Sequence, residues 1–85
     1  MEFKQISPNP FIDRLKLFFN SPINSEVEIQ ILDFSSRLIT FNNLQLNQEE
    51  NAIAIDIEDR LPAGMYFINV ISRQGTVTHK VIKQN

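Results

Sequence analysis

The chain has 85 residues, a formal net charge of −2 and no cysteine. That length allows one domain with a thin stability margin. The weak charge excludes nucleic-acid binding through a basic surface, and the missing thiols exclude disulfide staples and thiolate metal sites.

Alternation of polar and apolar residues organises the chain, with no helical spacing. A short strand is expected over Phe3–Ile6. Ser7-Pro8-Asn9-Pro10 breaks it, since each proline fixes its φ and lacks a donor. Arg14–Phe19 alternates, with Leu15, Leu17 and Phe19 facing inward, and Asn20-Ser21-Pro22 ends it. Glu26–Ile31 is a third strand, and Asp33–Ser36 a turn. Arg37 to about Phe41 is β-branched and aromatic enough for a fourth strand. Asn47–Asn51 reads as a polar loop. Asn51–Ile57 turns Ile53, Ile55 and Ile57 inward, and Glu58-Asp59-Arg60 reads as a solvated turn. Leu61-Pro62-Ala63-Gly64 leads tightly into Met65–Ser72, which is apolar on both faces and so central in its sheet or covered by a neighbour. Arg73-Gln74-Gly75-Thr76 is a hairpin into Thr76–Lys83, which places Val77, His79 and Val81 on one side. The two glycines are expected where φ is positive or the backbone passes closely. Seven short strands at this spacing predict an all-β, immunoglobulin-like antiparallel sandwich of two sheets in a single domain, 1–85.

The chemistry-bearing residues are sparse. His79 is the only histidine and lies on an alternating strand, which predicts a structural ring. The carboxylates Asp33, Glu49, Glu50, Asp56, Glu58 and Asp59 lack the spacing of a calcium loop. Gly64 and Gly75 are isolated beside strands, so no phosphate cradle is expected. No catalytic, cofactor-binding or metal-ligating set is predicted. Phe11, Phe18, Phe34 and Phe41 could line an aromatic platform, which makes a glycan-binding or adhesin module the alternative function. A spacer between domains is a third reading. Tyr66 is expected as a packed ring with its hydroxyl bonded near the sheet edge. Residues 26–59 carry eight acids and one arginine, whereas residues 60–85 carry four cations and no acid. These charges pair across strands or present a basic edge to a partner. The longest apolar run, Met65–Ile68, is too short to span a bilayer, so membrane insertion is not expected. Met1–Gln5 has no signal-peptide pattern, and the chain reads as a piece of a longer protein.

Several motifs follow one another in order: Ser7-Pro8-Asn9-Pro10, then Asp13-Arg14-Leu15, Leu32-Asp33 with Arg37-Leu38, Leu61-Pro62-Ala63-Gly64-Met65-Tyr66-Phe67, and Gly75 with Lys80-Val81-Ile82-Lys83. This ordered set resembles the C-terminal sorting domain of type IX (Por) secretion cargo, type A form, over about residues 6 to 83. Two positions depart from the family: Ser36 stands where it commonly has glycine, and Phe11 where it has a small residue. The resemblance implies a transport address and no enzymatic activity. It implies a fused N-terminal passenger, passage through the periplasm to the cell surface or beyond, recognition by the outer-membrane translocon and its shuttle components, and removal by a sortase-like peptidase. It assigns recognition to Pro8, Asn9, Pro10, Gly64, Tyr66, Gly75, Lys80, Val81 and Lys83. If Thr76–Lys83 is an open sheet edge, it could accept a partner strand or a second copy of the domain. Pro8-Asn9-Pro10 reads first as a rigid turn between strands one and two.

Overall fold

The structure is a computed structural model and describes residues 2–21, 23–57 and 61–84. Pro22 and Glu58-Asp59-Arg60, placed in turns by the sequence, lie outside the described residues. Seven strands are present: β1 (Glu2–Ser7), β2 (Arg14–Ser21), β3 (Ser25–Asp33), β4 (Leu38–Leu46), β5 (Glu49–Asp56), β6 (Gly64–Ser72) and β7 (Gly75–Lys83). They form two antiparallel sheets, in the orders β1-β2-β5 and β4-β3-β6-β7. This is the expected two-sheet sandwich, and no described residue is helical.

The alternation places one face of each strand inside. In the smaller sheet, Leu15 pairs with Ile55, Leu17 with Ile53, and Phe3 with Phe19. In the larger sheet, rows of partners run across the inner face. Ile29, Val70 and Val77 form one row, Ile31, Ile68 and His79 the next, and Asp33, Tyr66 and Val81 a third. The buried apolar residues of both sheets form one core, with Leu15, Leu17, Leu46, Ile68 and Val70 fully buried. β6 is a central strand with buried inner residues and half-buried outer ones, which explains its two apolar faces. His79 is half-buried at the sheet margin. Its ring lies 4.1 Å from that of Phe3, which in turn meets Phe19 edge-on at 5.3 Å, closing the sandwich on the β1/β7 side.

Two boundaries differ from the sequence reading. β4 runs on to Leu46, because β3 offers a ladder of hydrogen bonds that outweighs the poor strand propensity of Asn42 and Asn43. The polar loop shrinks to Asn47-Gln48, since β5 already starts at Glu49. The Asn51 side chain makes the tight connection feasible. Its Oδ1 accepts from the Asn47 amide at 2.8 Å, and its Nδ2 donates to the Asn47 carbonyl at 2.8 Å.

The β3–β4 turn is built on Asp33. Its carboxylate accepts from the backbone amides of Ser35 and Arg37, each at 2.9 Å, and from Arg37 Nε at 2.8 Å. The Arg37 amide first, then the guanidinium and the Ser35 amide, outweigh burial and hold the Asp33 carboxyl below its ordinary range. Within this turn Ser36 adopts φ +66°, a left-handed conformation that costs a side-chain-bearing residue roughly 1–2 kcal/mol. The glycine that the resemblance leads one to expect at this position would relieve that strain. Ser36→Gly is expected to stabilise the domain by about 0.5–1 kcal/mol, after allowing for glycine's larger unfolded-state entropy. Thermal unfolding should rise by roughly 3–6 °C; an unchanged or lower midpoint refutes the strain.

Candidate recognition site

The two prolines of Ser7-Pro8-Asn9-Pro10 cannot donate to a ladder, so the chain leaves the smaller sheet after β1. It does more than turn. It crosses to the free side of β7, the edge strand of the larger sheet. There Asn9 uses its side chain as a backbone would: the Ile82 amide donates to Asn9 Oδ1 at 3.0 Å, and Asn9 Nδ2 donates to the Lys80 carbonyl at a longer 3.5 Å. Phe11 continues the pairing with its own backbone. Its amide donates to the Ile82 carbonyl at 2.8 Å, and its carbonyl accepts from the Gln84 amide at 2.7 Å. Phe11 and Lys83 form a parallel bridge. The Phe11 ring is 1% exposed and lies in the core. The chain then returns to the smaller sheet, where the Ile57 amide donates to the Asp13 carbonyl at 2.8 Å.

This clamp changes the reading of the terminal strand. β7 is a sheet edge, but its outward groups at Lys80, Ile82 and Gln84 are occupied by Asn9 and Phe11. Strand addition or dimerisation at this half of β7 would have to displace them. The two terminal lysines also part company. Lys80 is exposed on the outer face, opposite Phe67, whereas Lys83 points inward and is 2% exposed.

Most of the residues singled out by the resemblance converge here. Gly64 pairs with Lys83 and Tyr66 with Val81, so the Leu-Pro-Ala-Gly segment lies against the last strand, with Pro8, Asn9 and Pro10 on that strand's other side. Tyr66 is the packed ring expected: it is buried, and its hydroxyl donates to the Pro62 carbonyl at 2.6 Å. That bond to a carbonyl four residues upstream has the form of the tyrosine corner of immunoglobulin-like sandwiches. Burial, followed by the nearby charge of Asp33, raises the Tyr66 phenol pKa. Gly64 has φ +148° and Gly75 φ +134°, as predicted for the two glycines. Gly75, however, sits at the far end of β7, opposite Ser72 in the hairpin, away from the cluster. An open groove of about 530 Å³ flanks the clamp, bordered by Ser7, Pro8, Pro10, Ile12 and Lys16.

Phe11 was not recognised from sequence as part of this site. It stands outside any alternating run, so nothing marked it as inward. The four phenylalanines considered for a platform are dispersed. Phe11 is in the core, Phe18 half-buried on the smaller sheet, Phe34 exposed in a turn and Phe41 exposed on β4. The charges also resolve locally. Arg14 Nε meets Asp56 at 2.7 Å between β2 and β5, and Arg37 meets Asp33 within one turn. Neither pair draws on the basic tail.

Solved structures with the same fold include a β-glucosidase from Listeria innocua in complex with isofagomine (TM-score 0.55, 15% identity) and a GH3 β-glucosidase from Bifidobacterium adolescentis (TM-score 0.53, 12% identity). The first match covers 99% of this chain and 16% of the glucosidase; the second covers 96% and 17%. At such identities the likeness is one of fold alone. A search of curated proteins finds no match. The sequence model of the secretion system C-terminal sorting domain matches residues 5–84. With nearly its whole length matched, the chain belongs to this family of type IX sorting signals, which is not a catalytic one.

Proposed function

We propose that this domain, in its type A form, is the export address of a passenger fused upstream, and that the folded clamp between Asn9-Pro10-Phe11 and Lys80–Gln84 is what the export machinery reads. The clamp carries the reading because its halves lie more than 70 residues apart in sequence and meet only after folding. A receptor that binds this end therefore rejects unfolded cargo without a separate test of foldedness. Pro8, Asn9 and Pro10 set the outer rim, Gly64 and Tyr66 support β7 from its inner neighbour, and Lys80 supplies an exposed charge that adds orientation and on-rate. Val81 and Lys83 contribute by packing. In this scheme the passenger crosses the periplasm, the translocon and its shuttle components take up the folded domain, and a sortase-like peptidase cuts upstream of β1. The cargo ends at the cell surface or in the medium.

The test is a periplasmic reporter fused upstream of residues 1–85 in a type IX-competent cell. Export is expected with the intact domain and is expected to fall to background when residues 76–85 are deleted. Asn9→Ala, which removes only a side chain at the surface, should leave a folded domain and lower export several-fold. Reporter retained in the periplasm beside a folded, intact domain overturns the proposal, as does full export of the deletion.

A further inference from the structure

β4 is the edge strand of the larger sheet opposite β7, and among the described residues it pairs only with β3. Its first six residues, Leu38–Asn43, are exposed on both faces of the sheet. Leu38 is 52% exposed, Ile39 38% and Phe41 53%. The nine residues of β4 include no charge and no proline.

Sheet edges with free hydrogen-bonding groups are normally guarded by charge, proline, irregularity or cover. The other three edges here follow that rule. β1 carries Lys4 and a register shift between Phe3 and Gln5, β5 carries Glu49, Glu50 and Asp56, and β7 carries Lys80 and is covered by Asn9 and Phe11. β4 has only one irregularity, which skips Ile39 near its start and leaves Thr40–Leu46 in unbroken register with β3. An unguarded edge with apolar side chains, in a fold that guards its other edges, is suited to receiving a strand.

We propose that β4 accepts an extended, apolar and basic segment of a partner protein as a fifth strand of the larger sheet. The basic character follows from the surroundings. β3, the neighbour of β4, presents Glu26 opposite Gln45 and Glu28 opposite Asn43, and β4 itself carries no charge to offset them. A second copy fits less well. In a two-fold antiparallel pairing each residue meets its symmetry mate's partner. A full-length ladder centred on Asn42 sets Phe41 against Asn43 and Ile39 against Gln45, and one centred on Phe41 stacks like rings but flanks the seam on both sides with the Glu26 and Glu28 of the two copies, acid facing acid. A pairing that sets Ile39 against Phe41 keeps only the short stretch from Leu38 to Asn42.

The probe is a nine-residue peptide copying β3, which already fits β4 in antiparallel register, with lysine at both glutamate positions. Amide hydrogen exchange in residues 38–46 is expected to slow at least tenfold at millimolar peptide, with NMR shift changes centred on β4. The unaltered acidic copy should slow it less than threefold. Phe41→Ser, at an exposed position, should leave thermal unfolding within a few degrees and remove most of the protection. Unchanged exchange in β4, equal effects of both peptides, or protection spread over all strands overturns the proposal. A dimer by sedimentation that dissociates in Phe41→Lys also overturns it, by making a second copy the occupant. None of these outcomes depends on whether the domain directs export.

Discussion

Phe11→Ala is expected to destabilise the domain by about 3–5 kcal/mol, the usual range for removing a buried aromatic ring. An 85-residue domain holds only on the order of 4–13 kcal/mol in total, so much of the population would unfold near physiological temperature. The ring is 1% exposed and belongs to the common core. It also anchors the segment whose backbone bonds to Ile82 and Gln84. Losing the ring leaves the clamp to those two hydrogen bonds and the two made by the Asn9 side chain, each worth only about 0.5–1.5 kcal/mol net. Export of a fused reporter should therefore fall further than the loss of folded protein alone would produce. The measurement is urea unfolding together with the exported fraction per folded molecule. A cost below about 1 kcal/mol, or export in strict proportion to the folded fraction, refutes the anchoring role.

Ile68→Ala supplies the contrast. Ile68 is fully buried on the central strand β6, between Ile31 on β3 and His79 on β7. Its truncation should cost about 2–5 kcal/mol and lower the thermal midpoint by on the order of 10–30 °C. Ile68 lies opposite His79, one residue before the Lys80 carbonyl that Asn9 bonds, but its side chain is buried in the core and makes no hydrogen bond to Asn9 or Phe11, so molecules that remain folded keep an intact clamp. Export per folded molecule should then match the unmodified domain. If Ile68→Ala lowers that ratio as far as Phe11→Ala does, the machinery senses overall stability and not the clamp.

The alternation of Leu15-Lys16-Leu17 and of Glu26-Val27-Glu28-Ile29 was legible as strands because a period of two is a property of consecutive residues. The same holds for the hairpin at Gln74-Gly75 and for the positive φ of both glycines. Tyr66 could be placed as a packed ring because it follows a Pro-Ala-Gly approach to an apolar strand. Where the reading failed, hydrogen-bond partners from elsewhere decided. Asn42 and Asn43 have poor strand propensity, yet they extend β4 because Ile29 and Glu28 pair with them. Ser36 is singled out in the sequence only by the resemblance, as standing where glycine is common, and its left-handed φ follows from the bonds that Asp33 makes around it.

By itself, then, the order of residues determined seven strands, the inward faces of those that alternate, an all-β sandwich and the likeness to a sorting domain, since each of these rests on local spacing or on a linear series of motifs. Only the tertiary structure decided that Asn9 and Phe11 pair with Lys80, Ile82 and Gln84, that Lys83 is buried while Lys80 is not, and that β4 is the unguarded edge. These depend on which strands become neighbours and on which side of a sheet is left open. Contacts across more than 70 residues leave no periodic trace in the chain, because the pairing of distant edges follows from packing the whole core.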